Sequence, residues 1–212
     1  AGSILDLVPG TAYEARFVMA DADGIAGPAA NATKPVTVRT RPEPVPAADG
    51  KTYHVYPAKW KGPKTEPAFE GIMCAYNYYC GAGDTAPGGR PRVKPGDTIL
   101  VHAGTYAYHY EFYANQTTIN ATTTFEGTYY LTAKGTPEKP IVIKAAGDGE
   151  VIIDGRGNFN LFNVKAADYN YFEGITFRNT QIAIWAGTQF IAGSKGLTVK
   201  RCRFEDVGMG VF

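Results

Sequence analysis

The clearest pattern of apolar and polar positions is a self-match over residues 171–212. Offset by about 27 positions, Ile175 falls on Cys202, Phe177 on Phe204, Asn179 on Asp206, Ile182 on Met209 and Ile184 on Val211. Each copy predicts a short strand, a polar turn residue and a second short strand, with no helix. A unit this thin buries its apolar face only when the next unit stacks on it, so the repeat predicts a solenoid of parallel strands, one coil per repeat. Alternate residues of a strand point to opposite sides. Ile175 and Phe177 should therefore lie beneath Cys202 and Phe204 in the interior. Asn179 and Asp206 should share a corner, where short polar side chains tolerate left-handed backbone. On the outside, Arg178 should lie beside Glu205 and Thr176 beside Arg203. Glu173 aligns with Lys200 and faces out only if Gly174 bends the chain. The same offset counted back from Asn179 lands on Ile152, inside a strand, so the preceding coil has another length or is less regular.

Further strands are predicted at 141–144, 151–154, 161–164, 171–178, 182–185, 197–205 and 210–212. Gly147, Gly149, Gly155, Gly157, Gly174, Gly193 and Gly196 punctuate the corners. Residues 95–106 read as a turn, a buried strand and a glycine-containing exit. Residues 53–56 make a short strand. From there to Arg92 no period is visible, which predicts a long loop or cap. Near the start, Tyr13, Ala15, Phe17 and Met19 alternate with Glu14 and Arg16, which predicts a strand with one buried side. Asp21-Ala22-Asp23-Gly24 makes a turn, and 36–40 a second strand rich in β-branched residues. Arg41 to Pro46 alternates proline and should be stiff and extended.

The chain has 212 residues, with 25 Gly, 14 Pro, 14 Tyr and 11 Phe, a mixture that favours β-structure with many turns. The net charge of +1 gives no electrostatic reason to expect nucleic acid or an anionic membrane as partner. No apolar run reaches the roughly 18 residues of a membrane span. Of the three cysteines, Cys74 and Cys80 are spaced so that a small disulfide loop could close between them; two free thiols are the alternative. Cys202 takes an inward position and reads as a small buried hydrophobe.

Two resemblances sharpen this picture. The Leu7-x-Pro9-x-Thr11-x-Tyr13 string is similar to the tyrosine corner of fibronectin type III domains, where a Tyr hydroxyl ties the chain between two strands. It covers residues 4 to 41, and the first half of such a sandwich is missing. The second comprises Pro95-Gly96-Asp97-Thr98-Ile99 ending in Gly104-Thr105-Tyr106, then Gly135-Thr136-Pro137 with Lys139-Pro140-Ile141-Val142-Ile143-Lys144, then Val151-Ile152-Ile153-Asp154-Gly155. It resembles the first coils of right-handed parallel β-helix proteins of the pectate-lyase-like superfamily, among them chondroitinase-B-like and alginate-lyase-like enzymes. The expected class is thus all-β: a partial fibronectin-type-III-like sandwich at 1–41, a proline-rich linker at 42–52, and the cap and first coils of a right-handed parallel β-helix at 53–212, expected to be incomplete as a coil stack.

That second resemblance implies an extracellular protein acting on an acidic polysaccharide, by β-elimination, with calcium as the cofactor the superfamily suggests and no other cofactor evident. Secretion, the periplasm or the cell surface would be its place. Such lyases use a Lys or Arg base beside a neutralised uronate carboxylate, and Lys200, Arg203 and Arg178 are of the right type. Exposed cross-strand ion pairs explain the same residues more simply. The family's catalytic residues lie on later coils. The rival is a non-catalytic surface module for carbohydrate binding, adhesion or assembly, with the coil completed by the rest of the polypeptide or by neighbouring subunits.

Other features read as ordinary. The Asp21–Asp23 turn lacks the remaining ligands of a calcium loop. His54, His102 and His109 have no metal-ligand spacing and read as surface or satisfied histidines. Asn31, Asn115 and Asn120 begin glycosylation triplets that fit plain polar loops equally. Trp60, Trp185 and Tyr76 to Tyr79 could stack on sugar rings, although aromatics more often fill cores and caps.

Overall fold

The computed structural model describes residues 4–28, 32–78, 91–107, 129–164, 166–187 and 193–212. They form two compact units, Ala1–Pro44 and Val45–Phe212. Among the described residues their regular secondary structure is almost all strand, with one short helix.

In the first unit, β1 (Ala12–Val18) pairs antiparallel with β2 (Thr33–Arg39), so that Tyr13 meets Val38, Ala15 meets Val36 and Phe17 meets Lys34. The Tyr13 hydroxyl accepts a hydrogen bond from the Val8 N–H at 2.8 Å. The Thr40 hydroxyl donates to the Val8 carbonyl at 2.7 Å and accepts from the Thr11 N–H at 2.9 Å. Asp21 to Gly24 is a turn closed by Gly24 N–H to Asp21 O, with Gly24 at φ 88°. One expectation fails. The alternating face of β1 is not buried: Phe17 is 57% and Met19 54% exposed. Among the described residues of this unit the two strands have only each other, and a single sheet face needs a second layer to cover it.

The second unit contains β3 (Thr52–Val55), β4 (Ala68–Phe69), α1 (Ile72–Tyr76), β5 (Thr98–Val101), β6 (Gly104–Ala107), β7 (Tyr129–Tyr130), β8 (Ile141–Ala145), β9 (Val151–Asn163), β10 (Asn170–Glu173), β11 (Ile175–Trp185), β12 (Thr198–Lys200) and β13 (Arg203–Val211). Among the described residues they make two parallel sheets. One runs β12-β10-β8-β5-β3-β4; the other runs β13-β11-β9-β6, with β7 also on β9. Among the described residues the chain passes from the first sheet to the second four times, at β5–β6, β8–β9, β10–β11 and β12–β13.

Register follows from what each strand must hide. Tyr53, Ile99, Ile143, Phe172 and Val199 form one inward row across the first sheet. Tyr106, Ile153, Phe177 and Phe204 form another across the second. Phe162, Phe172 and Phe177 meet edge to face at 5.1–6.1 Å between the two. Burying each such ring is worth about 1.5–3 kcal/mol. Cys202 is half-buried against this core and free.

Several predicted strand limits change. Residues 151–154 and 161–164 belong to the single strand β9, which stays paired with β11 on both sides of a bend. At that bend β9 spends three residues, Gly155, Arg156 and Gly157, between Asp154 and Asn158, where β11 spends only Asn179 between Arg178 and Thr180. Ahead of the bend Ile175 pairs with Val151, 24 positions back, and after it Thr180 pairs with Asn158, 22 positions back, so the 27-residue offset does not extend backward on either side. Residues 171–178 are two strands broken at Gly174, and 182–185 is the end of β11. Residues 197–205 divide at Arg201, whose φ is 52°, and 210–212 continues β13. The stretch after Tyr56, read as loop or cap, includes β4 and the single turn α1, whose Ile72, Met73 and Tyr76 are buried on the core.

Cys74 is disulfide-bonded; Cys80 lies outside the described residues. So do His109, Tyr79 and the three candidate glycosylation asparagines, Asn31, Asn115 and Asn120.

Candidate functional site

The four crossings between the sheets form a column of corners, and the polar chemistry of the second unit gathers along it. Two glycines make the column possible. At Gly149 (φ 149°) a Cβ would lie 2.7 Å from the Ala103 side chain; at Gly174 (φ 72°) it would crowd Ala145 at 3.3 Å. Only glycine lets successive corners approach this closely.

At the first two corners the sequence brings together three residues that its spacing gave no reason to connect. His54 on β3 places its Nδ1 2.9 Å from Nε2 of His102, which follows β5. The other nitrogen of His102, Nδ1, lies 2.6 Å from Oδ2 of Asp148 in the next corner. Oδ1 of Asp148 accepts from the Ala103 N–H at 3.0 Å. The His102 ring is stacked on Tyr56 at 4.0 Å and 11°, with Trp60 tilted against it at 5.5 Å. The Tyr106 hydroxyl sits 2.8 Å from the His102 carbonyl and 3.0 Å from that of Val55. The Asp148 contact and the stacking on Tyr56 fix the plane of the His102 ring. With Asp148 ionised, His102 donates from Nδ1, and in its neutral form accepts at Nε2 from His54 Nδ1–H. The second nitrogen of His54, Nε2, then carries a lone pair and has no hydrogen-bond partner among the described residues.

Electrostatics agrees with that assignment. Burial alone would raise the Asp148 carboxyl, but its hydrogen bonds from His102 and the Ala103 N–H outweigh this and hold it below the usual carboxylate range. Burial, followed by the neighbouring His102, pushes His54 below the ordinary histidine value. Burial drives the Tyr106 hydroxyl far up, so it stays protonated and donates.

His54 also begins an outward row on the first sheet. In register across neighbouring strands come Leu100, Lys144, Glu173 and Lys200, all half-buried. Parallel strands lie about 4.8 Å apart, so Lys144 is roughly 10 Å from His54 along the sheet. Glu173 accepts from the Tyr171 hydroxyl at 2.9 Å and pairs with Arg201 at 3.4 Å.

Lys200, Arg203 and Arg178 are not one cluster. Lys200 ends the row just described, while Arg178 and Arg203 stand on the second sheet. Arg178 Nε lies 3.4 Å from Glu205, a charge contact without hydrogen-bond geometry. Arg203 lies between Glu150 at 3.6 Å and Glu205 at 3.5 Å, and the Thr176 hydroxyl donates to Glu150 at 3.0 Å. Both arginines are occupied by carboxylates. Arg203 is largely exposed, so its pairs are worth only about 0.2–1 kcal/mol each. An open concavity of about 430 Å³ lies here, lined by Glu150, Gly174, Ile175, Thr176, Arg201 and Arg203.

Among the described residues no group of three or more His, Cys, Asp or Glu side chains could hold a metal ion. The His54–His102–Asp148 contacts run in a line and do not converge. No helix among them is long and apolar enough to cross a membrane.

No protein-family model matches the chain, and no curated protein or solved structure matches it.

The aromatic residues considered for sugar stacking divide. Trp185 is buried, donates to the Gly187 carbonyl at 2.6 Å and packs edge-on to Phe212. Tyr76, the last residue of α1, is buried, and its hydroxyl accepts from the Ala133 N–H at 2.7 Å. Both are core residues. Trp60 donates to the Pro63 carbonyl, carries Gly62 against its ring and packs against His102. Tyr78 is half exposed beside Arg92.

Proposed function

We propose that the Val45–Phe212 unit is the cap and opening coils of a right-handed parallel β-helix of the pectate-lyase-like kind, and that it acts on an acidic polysaccharide by β-elimination. The observation that carries this is the outward row His54, Leu100, Lys144, Glu173, Lys200, which sets a histidine with a bare nitrogen in register with lysines two and four strands away in the same parallel sheet. β-Elimination next to a uronate carboxylate needs a base for the proton and cations for the carboxylate. A row of regularly spaced side chains suits a polymer of repeating anionic units. The resemblance of residues 93–212 to the opening of chondroitinase-B-like and alginate-lyase-like enzymes points the same way. The tyrosine hydroxyl tied to the Val8 N–H supports a fibronectin-type-III-like origin for residues 4–41. Secretion to the periplasm, medium or cell surface follows from such a substrate.

The test is incubation with alginate, pectate and glycosaminoglycans, with and without calcium, following the absorbance of the unsaturated product. A rise on at least one uronate polymer and none on neutral glucans is expected. No rise on any uronate polymer in either condition contradicts the lyase reading.

A second reading has its own support. Strand β13 leaves Met209 and Val211 about half exposed, as is Phe212 just after it, and Phe204 is partly exposed on the same strand. An apolar row on an edge strand invites another strand. A non-catalytic module for carbohydrate binding or adhesion, completed along that edge by the rest of the polypeptide or by a neighbouring subunit, fits this face. Sedimentation of the purified chain separates the two: self-association that is lost on Met209→Lys supports assembly.

A further inference from the structure

We propose that Asp148, His102 and His54 form a proton relay in which His54 Nε2 is the catalytic base, placed in the cap of the unit and serving a uronate bound over Leu100 and Lys144. The proposal rests on the acidic-polysaccharide reading and adds to it the identity of the base, a histidine in place of the Lys or Arg expected by resemblance.

The step balances as follows. His54 Nε2 takes the proton from the carbon bearing the uronate carboxylate. The electron pair of that C–H bond forms a double bond to the neighbouring ring carbon, whose bond to the glycosidic oxygen breaks. The departing oxygen takes a proton from water. As His54 gains a proton on Nε2 it passes the one on Nδ1 to His102 Nε2, 2.9 Å away. The imidazolium so formed keeps its Nδ1–H on the Asp148 carboxylate, 2.6 Å away. Positive charge therefore ends next to a fixed anion and not beside the lysines of the row. Lys144, two strands from His54 in the same row, faces the place where the carboxylate develops enolate charge.

Three features favour a relay over a purely structural contact. His102 alone could pin the corner through Asp148, and the pinning is already helped by the Ala103 N–H. His54 adds nothing to that anchor, yet it is aligned on the free nitrogen of His102. The ring planes of His54 and His102 lie 24° apart, and His102 is clamped by Tyr56, so the middle group of the chain is held in one orientation. The groups around the pair are sparse in charge: Tyr56 and Tyr106 on its flank, Lys64 over the far side of Tyr56, and Asp148 beyond His102. A base shielded from other anions keeps its lone pair under mildly acidic conditions.

His54 is the catalytic residue here; His102 and Asp148 position and tune it. The experiment uses the full chain and measures three things: kcat and KM on the uronate polymer it cleaves, the affinity for a saturated oligouronate, and the ring-nitrogen NMR signals of the free protein. Expected is a loss of about 10²–10⁴-fold in kcat for His54→Gln with oligouronate affinity unchanged. His102→Gln should move the acid limb of the rate profile up toward the ordinary histidine value, and Asp148→Asn should move it down. A merely structural role would lower stability in both and shift neither limb. In the free protein the His54 signals should report a proton on Nδ1 and a bare Nε2. His54→Gln with wild-type kcat, or His54 protonated on Nε2 at neutral pH, overturns the relay whatever the substrate. Binding of the oligouronate with no turnover overturns the base and leaves the ligand reading standing. Neither binding nor turnover on any uronate polymer removes the ligand reading and the proposal with it.

Discussion

The rings of Phe177 and Phe204 stack 5.4 Å apart and 15° from parallel, on neighbouring strands and in register. Phe177 is fully buried between three other rings, whereas Phe204 is 38% exposed at the edge. The same side chain in the same column therefore carries different weight. Phe177→Ala should destabilise the second unit by about 3–5 kcal/mol. Phe204→Ala should cost about 1–2 kcal/mol, since much of its ring already meets water. Urea unfolding followed by fluorescence measures both, and equal losses would contradict the packing described.

Asn179 and Asp206 stack at the corner with φ of 53° and 51°. The Asn179 amide also donates to Asp154 at 3.1 Å. A β-branched residue at this position meets the left-handed penalty of about 1–2 kcal/mol, which glycine escapes. Asn179→Val should thus be less stable than Asn179→Gly by roughly that amount, read from the same unfolding curves.

The corner asparagine was legible in the sequence because parallel stacking repeats both residue type and backbone conformation. Ile175, Phe177, Ile182 and Ile184 were legible for the same reason: inward positions one coil apart face the same demand. The previous coil was not: ahead of the bend Ile175 already pairs with Val151, only 24 positions back, and two extra residues at Gly155–Gly157 shift the count again while the strands stay paired. The buried side expected for β1 failed because alternation marks a face that can be covered and not whether anything covers it. The histidine pair could not be read at all. His54 and His102 are 48 positions apart, and nothing marks them until strand register puts His54 beside Leu100, two residues from His102. The one hint was that each histidine belonged to, or directly followed, a short predicted strand. Arg178 beside Glu205 and Thr176 beside Arg203 were visible as outward pairs, but their separation from Lys200 required the bend at Gly174.

Arg178 and Glu205 are both partly exposed and touch only as charges. A double-mutant cycle with Arg178→Gln and Glu205→Gln should give a coupling below about 1 kcal/mol that shrinks further in added salt. A larger, salt-insensitive coupling would mean that the pair is more deeply buried than its geometry indicates.

The pH dependence of stability has two limbs of known sign. His54 titrates below the ordinary histidine value of 6.5 in the folded protein, so the unfolded chain binds more protons as pH falls through that value, and stability declines. Asp148 also titrates below its ordinary value of 3.8; its contribution is present above that pH and is lost as pH falls through its folded value. His54→Gln should flatten the first decline and Asp148→Asn the second. Thermal melting between neutral pH and pH 3 resolves them, and unchanged limbs in both variants would contradict the assignment.

Chemical-shift mapping with a saturated hexauronate asks most directly whether the corner row meets an acidic polysaccharide. The account predicts that the largest changes fall on His54, Leu100, Lys144 and Lys200, and that they fade as salt is raised. Changes confined to residues 4–41, or none at millimolar ligand, would contradict it.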